Sequence, residues 1–175
     1  MGESRLPGVG KFTPVSLDSH QANREIMSLD KNISDYESYH QDPVNIKIHV
    51  VCVPLIILSV LGMLNMIPIA WGPVRVGHVV GLLYFSYYIF YARPYVLPCF
   101  AMFGVLIAAD FQLAKLSTQL YLSIQVSIFV LGWILQFWGH KKEGNQPAFI
   151  ANKESGLHSM FMAPILVVRH IGIRF

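Results

Sequence analysis

A polytopic membrane helix bundle, all-α and built from four to five hydrophobic segments, is the fold class that this sequence predicts. Hydrophobic residues make up 54% of the 175 residues, and charged residues only 13%, whereas a soluble domain has about 25% charged residues. The charges also avoid the middle of the chain, because positions 46–140 carry five of them: Lys47, Arg75, Arg93, Asp110 and Lys115. With a mean hydropathy of +0.48, this composition argues against a soluble enzyme, a disordered chain and a nucleic-acid-binding protein.

The first 32 residues differ from the rest of the chain. Residues 1–32 carry scattered charges, with glycines and prolines near the start and no long apolar run. Such a stretch buries too little apolar surface to fold alone, so residues 1–32 are predicted to form a disordered tail. Residues 33–175 are predicted to form one membrane-embedded helical domain.

Five apolar segments define the helices of this domain. They lie at about 46–64, 74–92, 95–109, 119–138 and 157–168. A helix needs about 20 residues to cross the hydrocarbon core of a bilayer, so the first, second and fourth segments are long enough to span it. The third segment needs help from its flanking residues, and the fifth is short enough to be re-entrant or interfacial.

The placement of lysine and arginine predicts the orientation of the domain. If four segments span the membrane and the N-terminus is cytosolic, six basic residues lie on the cytosolic side and two on the other. The six are Lys31, Lys47, Arg93, Lys141, Lys142 and Lys153, and the two are Arg75 and Lys115. Because basic residues favour the cytosolic side, the N-terminus and the 139–156 loop are predicted to be cytosolic.

Histidine is the residue type that points to chemistry. In the four-span arrangement, four of the seven histidines fall on the same face of the membrane: His40, His49, His140 and His158. Ionisable side chains at membrane depth are costly, which makes them candidates for function. Since imidazole binds Fe, Zn, Cu and Ni, one interpretation is a metal site built by histidines from different helices. The alternative is that each histidine is a hydrogen-bonded structural residue.

Helical spacing adds detail to this candidate site. Pro43 interrupts the chain between His40 and His49, which allows His40 to fold back towards His49. Two amide side chains share a helix face with a candidate histidine, because residues four apart lie on the same face. These amides are Asn45, four residues before His49, and Gln136, four residues before His140.

Two stretches of the chain carry a resemblance to a known family. Residues 39–49 read Y-H-x-x-P-x-N-x-x-x-H, and residues 132–140 read G-W-x-x-Q-F-x-G-H. Shorter matching elements follow at 145–148 and 163–164. These motifs resemble those of the fungal 2-hydroxy fatty acid dioxygenases of the endoplasmic reticulum. That family acts in phytosphingosine breakdown by fatty-acid α-oxidation and has relatives in bacteria and plants.

The resemblance implies an Fe(II)-dependent dioxygenase that uses O₂ to shorten long-chain 2-hydroxy fatty acids by one carbon, within sphingolipid catabolism. It implies a location in the endoplasmic reticulum membrane. Together with the multi-pass topology and the orientation predicted above, this location puts the active site on the cytosolic face of a protein in contact with membrane lipid. The helical domain over 33–175 is then the catalytic domain. The competing interpretation is a non-enzymatic membrane transporter or lipid-binding scaffold with structural histidines.

The resemblance also assigns metal ligands. His40, His49 and His140 map onto the motif histidines of the family. His158 falls where many members carry a polar residue or a histidine, and it is the fourth predicted ligand. An all-histidine site is preferred, with a carboxylate ligand from Asp42 as the alternative.

The predicted catalytic residues are Asn45 and Gln136. Ring nitrogens that do not bind the metal need hydrogen-bond partners, and these two amides are predicted partners, as is Tyr39. Gln136 could instead contact the carboxylate of the substrate.

Overall fold

The fold is a helical bundle in the computed structural model, which describes residues 19–151 and 156–173. Its α-helices are α1 Ser19–Ser38, α2 Pro43–Leu64, α3 Val76–Tyr91, α4 Val96–Leu113, α5 Thr118–Glu143, α6 Ala148–Ala151 and α7 Gly156–His170. A β-hairpin of β1 Ala70–Trp71 and β2 Val74–Arg75 joins α2 to α3, and a 3₁₀ turn at Arg93–Tyr95 precedes α4. The predicted membrane helix bundle is confirmed, and each apolar segment contributes one helix.

Three stretches of the described residues are long and apolar enough to cross a membrane. They are Pro43–Leu64, Arg93–Leu113 and Thr118–Glu143. The segment predicted at 95–109 reaches this length through its flanks, as expected. The segment predicted at 74–92 is shorter than expected, because Val74 and Arg75 pair with Trp71 and Ala70 in the hairpin and leave α3 with 16 residues.

Helix α1 begins earlier than the sequence suggests. The predicted boundary of the folded domain is residue 33, but α1 starts at Ser19. Leu29, Ile33 and Tyr36 are buried, and their spacing of four and three residues places them on one helix face. This apolar stripe packs into the core of the bundle and explains the helix. The disorder predicted for residues 1–18 falls outside the described residues.

Helices α2 and α5 run antiparallel in close contact, and this pair positions the site. Small residues allow two helix backbones to approach closely. Three contacts along the pair involve a glycine, namely Gly139 against Asn45, Gly132 against Ile56 and Gly62 against Gln125. A Cβ atom at Gly139 would lie 2.3 Å from Asn45 Oδ1, so any larger residue there would force Asn45 or α5 to move.

A buried carboxylate ties the helices together at the end of the bundle remote from the motif histidines. Asp110 is 4% exposed. It accepts hydrogen bonds from Tyr121 Oη at 2.6 Å and Gln125 Nε2 at 3.1 Å through Oδ1, and from Asn65 Nδ2 at 2.8 Å through Oδ2. These bonds join the ends of α2 and α4 to the start of α5. A polar group in an apolar bundle needs such partners, since an unsatisfied one costs several kcal/mol.

We expect Asp110→Ala to lower the free energy of unfolding by about 2–4 kcal/mol, because three buried donors lose a charged acceptor. Unfolding in detergent, followed by circular dichroism, measures the change. Lys115→Ala is the control, since this exposed lysine bonds Gln112 within the same turn. Equal stability of the Asp110→Ala and Lys115→Ala proteins would contradict the role given to the carboxylate.

Candidate metal centre

Three histidines from separate parts of the chain meet inside the bundle. His40 lies just before α2, His49 lies within α2 and His140 lies in the last turn of α5, and they are 3%, 2% and 4% exposed. The nitrogens that they can offer to a metal ion all lie within 4.8 Å of one another. Their ring centroids are 4.3 to 4.9 Å apart. The structure thus brings the three motif histidines into one cluster.

The turn between α1 and α2 positions His40. Asp42 is the N-cap of α2, where its Oδ1 accepts hydrogen bonds from the backbone N–H of Val44 at 2.7 Å and of Asn45 at 3.2 Å. The bond from Asn45, followed by that from Val44, lowers the pKa of the Asp42 carboxyl. Asp42 therefore serves as an ionised helix cap. It is not part of the ligand cluster formed by the described residues, so the alternative of Asp42 as a ligand gains no support.

Main-chain carbonyls determine the tautomers of two of the rings. His40 Nδ1 lies 2.8 Å from Tyr36 O, and His49 Nδ1 lies 2.9 Å from Asn45 O. A carbonyl oxygen accepts a hydrogen bond, so each Nδ1 carries the proton and each Nε2 carries a lone pair. Burial lowers the pKa of His40 and favours its neutral form. The Tyr36 ring stacks on that of His40 at 4.4 Å between centroids and supports its orientation.

The donor set fits a metal ion. The Nε2 atoms of His40 and His49 face each other at 3.1 Å, and two lone pairs at this distance repel unless a proton or a cation lies between them. Two nitrogens bound to one ion at about 2.1 Å and roughly at right angles lie about 3 Å apart, which matches this separation. Among the described residues, the buried His140 Nδ1 has no hydrogen-bond partner, so this ring also has a nitrogen to offer an ion.

An apolar cavity of about 310 Å³ opens beside the histidine cluster. Along α2 it is lined by His49, Val53, Ile57 and Leu61. At about 1.5 Å per residue, the stretch from His49 to Leu61 extends for about 18 Å. The other walls come from α1, α3, α4, α5, α6 and α7 and are also mainly apolar. The cavity is therefore long and apolar, and the histidine cluster makes one end of it polar.

Comparison with known proteins identifies the family. The model of the family described as "2-hydroxy-palmitic acid dioxygenase Mpo1-like" matches residues 26–173. The chain belongs to the Mpo1-like family. A relative of this Mpo1-like chain, the Saccharomyces cerevisiae protein named 2-hydroxy-palmitic acid dioxygenase MPO1, is 32% identical over 145 residues, which are 82% of this chain and 79% of the yeast protein. No solved structure matches the chain. The family predicted from the two histidine motifs is thus confirmed.

The remaining predicted site residues of this Mpo1-like chain lie at different distances from the histidine cluster, and only some of them are near it. Gln136 is buried and lines the cavity beside the three histidines. The Asn45 side chain donates from Nδ2 to Glu143 Oε2, while its main-chain carbonyl accepts the hydrogen bond from His49 Nδ1. His158 is exposed and lies outside the cluster, with its ring edge-on to Tyr87 at 5.9 Å between centroids. Tyr39 lines a smaller cavity that includes His158.

The sequence prediction assigned no role to two residues of the Mpo1-like site, Tyr36 and Glu143. Tyr36 lies four residues before His40, the same spacing that singled out Asn45 and Gln136, so the spacing rule could have found it. Glu143 lies three residues after His140, but its hydrogen bonds reach residues about a hundred positions earlier in the chain. Local spacing does not reveal such a contact.

Proposed function

We propose that this Mpo1-like protein is an Fe(II)-dependent dioxygenase that shortens long-chain 2-hydroxy fatty acids by one carbon. The main support is the pair of imidazole nitrogens facing each other at one end of a long apolar cavity. The family description and the name of the yeast relative, which both specify 2-hydroxy-palmitic acid, support the substrate class. Removal of one carbon is a step of fatty-acid α-oxidation. The proposal therefore places the protein in the α-oxidation of fatty acids released by sphingolipid breakdown.

In this proposal His40, His49 and His140 hold the ion, and Fe(II) supplies redox chemistry with O₂ and Lewis acidity when bound. Neutral imidazoles add no negative charge, so the site retains its attraction for the substrate carboxylate. The apolar cavity takes the acyl tail and keeps water away from it. One O₂ balances the reaction, in which R–CH(OH)–COOH gives R–COOH, CO₂ and water.

Product analysis tests the proposal directly. The protein is purified in detergent without oxygen, loaded with Fe(II), and then given 2-hydroxypalmitate and O₂. We expect about one iron per chain and conversion to the fatty acid one carbon shorter, measured by mass spectrometry. A protein that binds no iron and converts no substrate would favour the transporter or lipid-binding scaffold.

Gln136→Leu is expected to reduce turnover by about 10–100-fold, as losses of groups supporting a metal site do. Gln136 faces the cavity beside the histidines, where its amide can donate to a substrate carboxylate. Gln119→Leu is the matched control, because Gln119 lies on the same helix and is exposed. Turnover and melting temperature are measured together. A lower melting temperature with unchanged turnover per folded molecule would leave Gln136 with a packing role.

The proposal locates the site at the cytosolic face of the endoplasmic reticulum membrane. The excess of lysine and arginine on the predicted cytosolic side supports this orientation. We expect tags at the N-terminus and after Gly144, an exposed turn residue that ends α5, to be protease-sensitive in intact microsomes. If one tag is protected and the other cleaved, the four-span topology is wrong.

A further inference from the structure

The α1–α2 turn contains a carboxylate contact that the proposed chemistry does not use. Glu143, the last residue of α5, accepts a hydrogen bond at Oε1 from the backbone N–H of Asp42 at 3.0 Å. The backbone N–H of Gln41 also donates to Oε1, and Asn45 Nδ2 donates to Oε2. One carboxylate thus receives three donors from a segment about a hundred residues away in sequence.

Two of these donors, the backbone N–H groups of Gln41 and Asp42, have no carbonyl of α2 available to them. The first N–H groups of a helix, and those just before it, lack a partner within the helix. Asp42 caps Val44 and Asn45 from inside the segment, whereas Glu143 binds the two preceding amides from another helix. Hydrogen bonds to an ionised acceptor are about twice as strong as neutral ones. Glu143 therefore fixes the turn against α5.

Two contacts of Glu143 lead to two different histidines, and its own helix carries the third. The N–H of Gln41 belongs to the peptide that follows His40, so the carboxylate holds the main chain of that residue. Asn45 is fully buried, and its own carbonyl accepts the Nδ1–H bond that orients His49. Glu143 itself lies one turn beyond His140 on α5. Three short connections thus run from one carboxylate to all three rings.

We propose that Glu143 is a positioning residue that holds the three imidazoles at the mutual distances a metal ion requires, by tying the His40 peptide and Asn45 to the helix that carries His140. This inference rests on the proposed metal-binding function of the histidine cluster. A nearby ion pair supplies a comparison, because Lys142 Nζ lies 3.7 Å from Asp42 Oδ1 and links the same two segments from the exposed side.

Cobalt titration of the full-length protein in detergent tests this role without turnover. Co(II) reports both affinity and the coordination geometry through its visible absorption. We expect Glu143→Ala to weaken Co(II) binding by about 10–100-fold and to change the spectrum. Glu143→Gln keeps an oxygen acceptor, so its affinity should be intermediate, about threefold or more below that of the wild type. Lys142→Gln should match the wild type in both respects.

The outcomes separate this inference from the proposed function. Absence of Co(II) binding by the wild-type protein would reject the histidine cluster as a metal site, and the positioning role with it. Wild-type affinity and spectrum in Glu143→Ala would reject the positioning role alone, as would an equal loss in Lys142→Gln. If Glu143→Ala does not fold, Glu143→Gln decides, because wild-type affinity and spectrum in that variant overturn the inference.

Discussion

Alanine at His40, His49 or His140 is expected to reduce turnover to background and to weaken metal binding by more than about 100-fold, the upper end of what loss of a merely supporting residue costs. Each substitution removes one of three imidazoles whose nitrogens lie within 4.8 Å of one another. The two histidines left behind cannot provide the same coordination. All three rings are buried, so water has limited access to replace the missing ligand.

Iron content and product formation are measured on each purified variant. His158→Ala is the control, since this histidine lies on the same predicted membrane face but is exposed and outside the cluster. It should retain iron and activity. Iron at the wild-type level in all three cluster variants would exclude an all-histidine site at these positions.

Gly139→Ala is expected to weaken metal binding by about 10–100-fold and to lower the free energy of unfolding by about 1–3 kcal/mol, the usual cost of overpacking. The added Cβ would lie 2.3 Å from Asn45 Oδ1 and 3.2 Å from Ile48 Cδ1. Asn45 is held by Glu143 and cannot move freely, so α5 must shift away from α2. That shift separates His140 from His49.

Gly104→Ala provides a matched glycine control. Gly104 lies within α4, and no atom lies within 4 Å of the position its Cβ would occupy among the described residues. Alanine there should leave metal binding unchanged and raise stability by up to about 1 kcal/mol, from helix propensity. Cobalt affinity and detergent unfolding are measured on both variants. Tight metal binding by Gly139→Ala would mean that the α2–α5 distance does not control the site.

The positions of the main helices follow from the sequence because apolar residues cluster in long runs. These runs predict five helices and their order. The hairpin at Ala70–Arg75 was not predicted, since residues 74–92 read as one uninterrupted apolar segment. Its Gly72, with φ of 63°, allows a tight turn. Helix α1 was likewise not predicted from Ser19, because only a sparse apolar stripe marks its buried face.

For the candidate site, local spacing predicts which residues share a helix face, and Pro43 predicts that His40 folds back towards His49. The structure agrees on both points. The partners of the rings were not predictable in this way. Amide side chains were expected to bind the imidazoles, but carbonyls of Tyr36 and Asn45 do so. Every residue carries a carbonyl, so its use as an acceptor leaves no signature in the sequence.

Those two carbonyl contacts have a consequence for evolution and for engineering. A point mutation replaces a side chain but leaves the main-chain oxygen in place, so any residue that preserves the helix at positions 36 and 45 still presents an acceptor to His40 and His49. Substitutions at positions 36 and 45 therefore leave the basicity of these two imidazoles unchanged. His140 differs, because its Nδ1 has no hydrogen-bond partner among the described residues and is available to an ion. Natural substitutions, or designed ones that aim at another metal preference, can therefore alter the surroundings of His140 more freely than those of the other two rings.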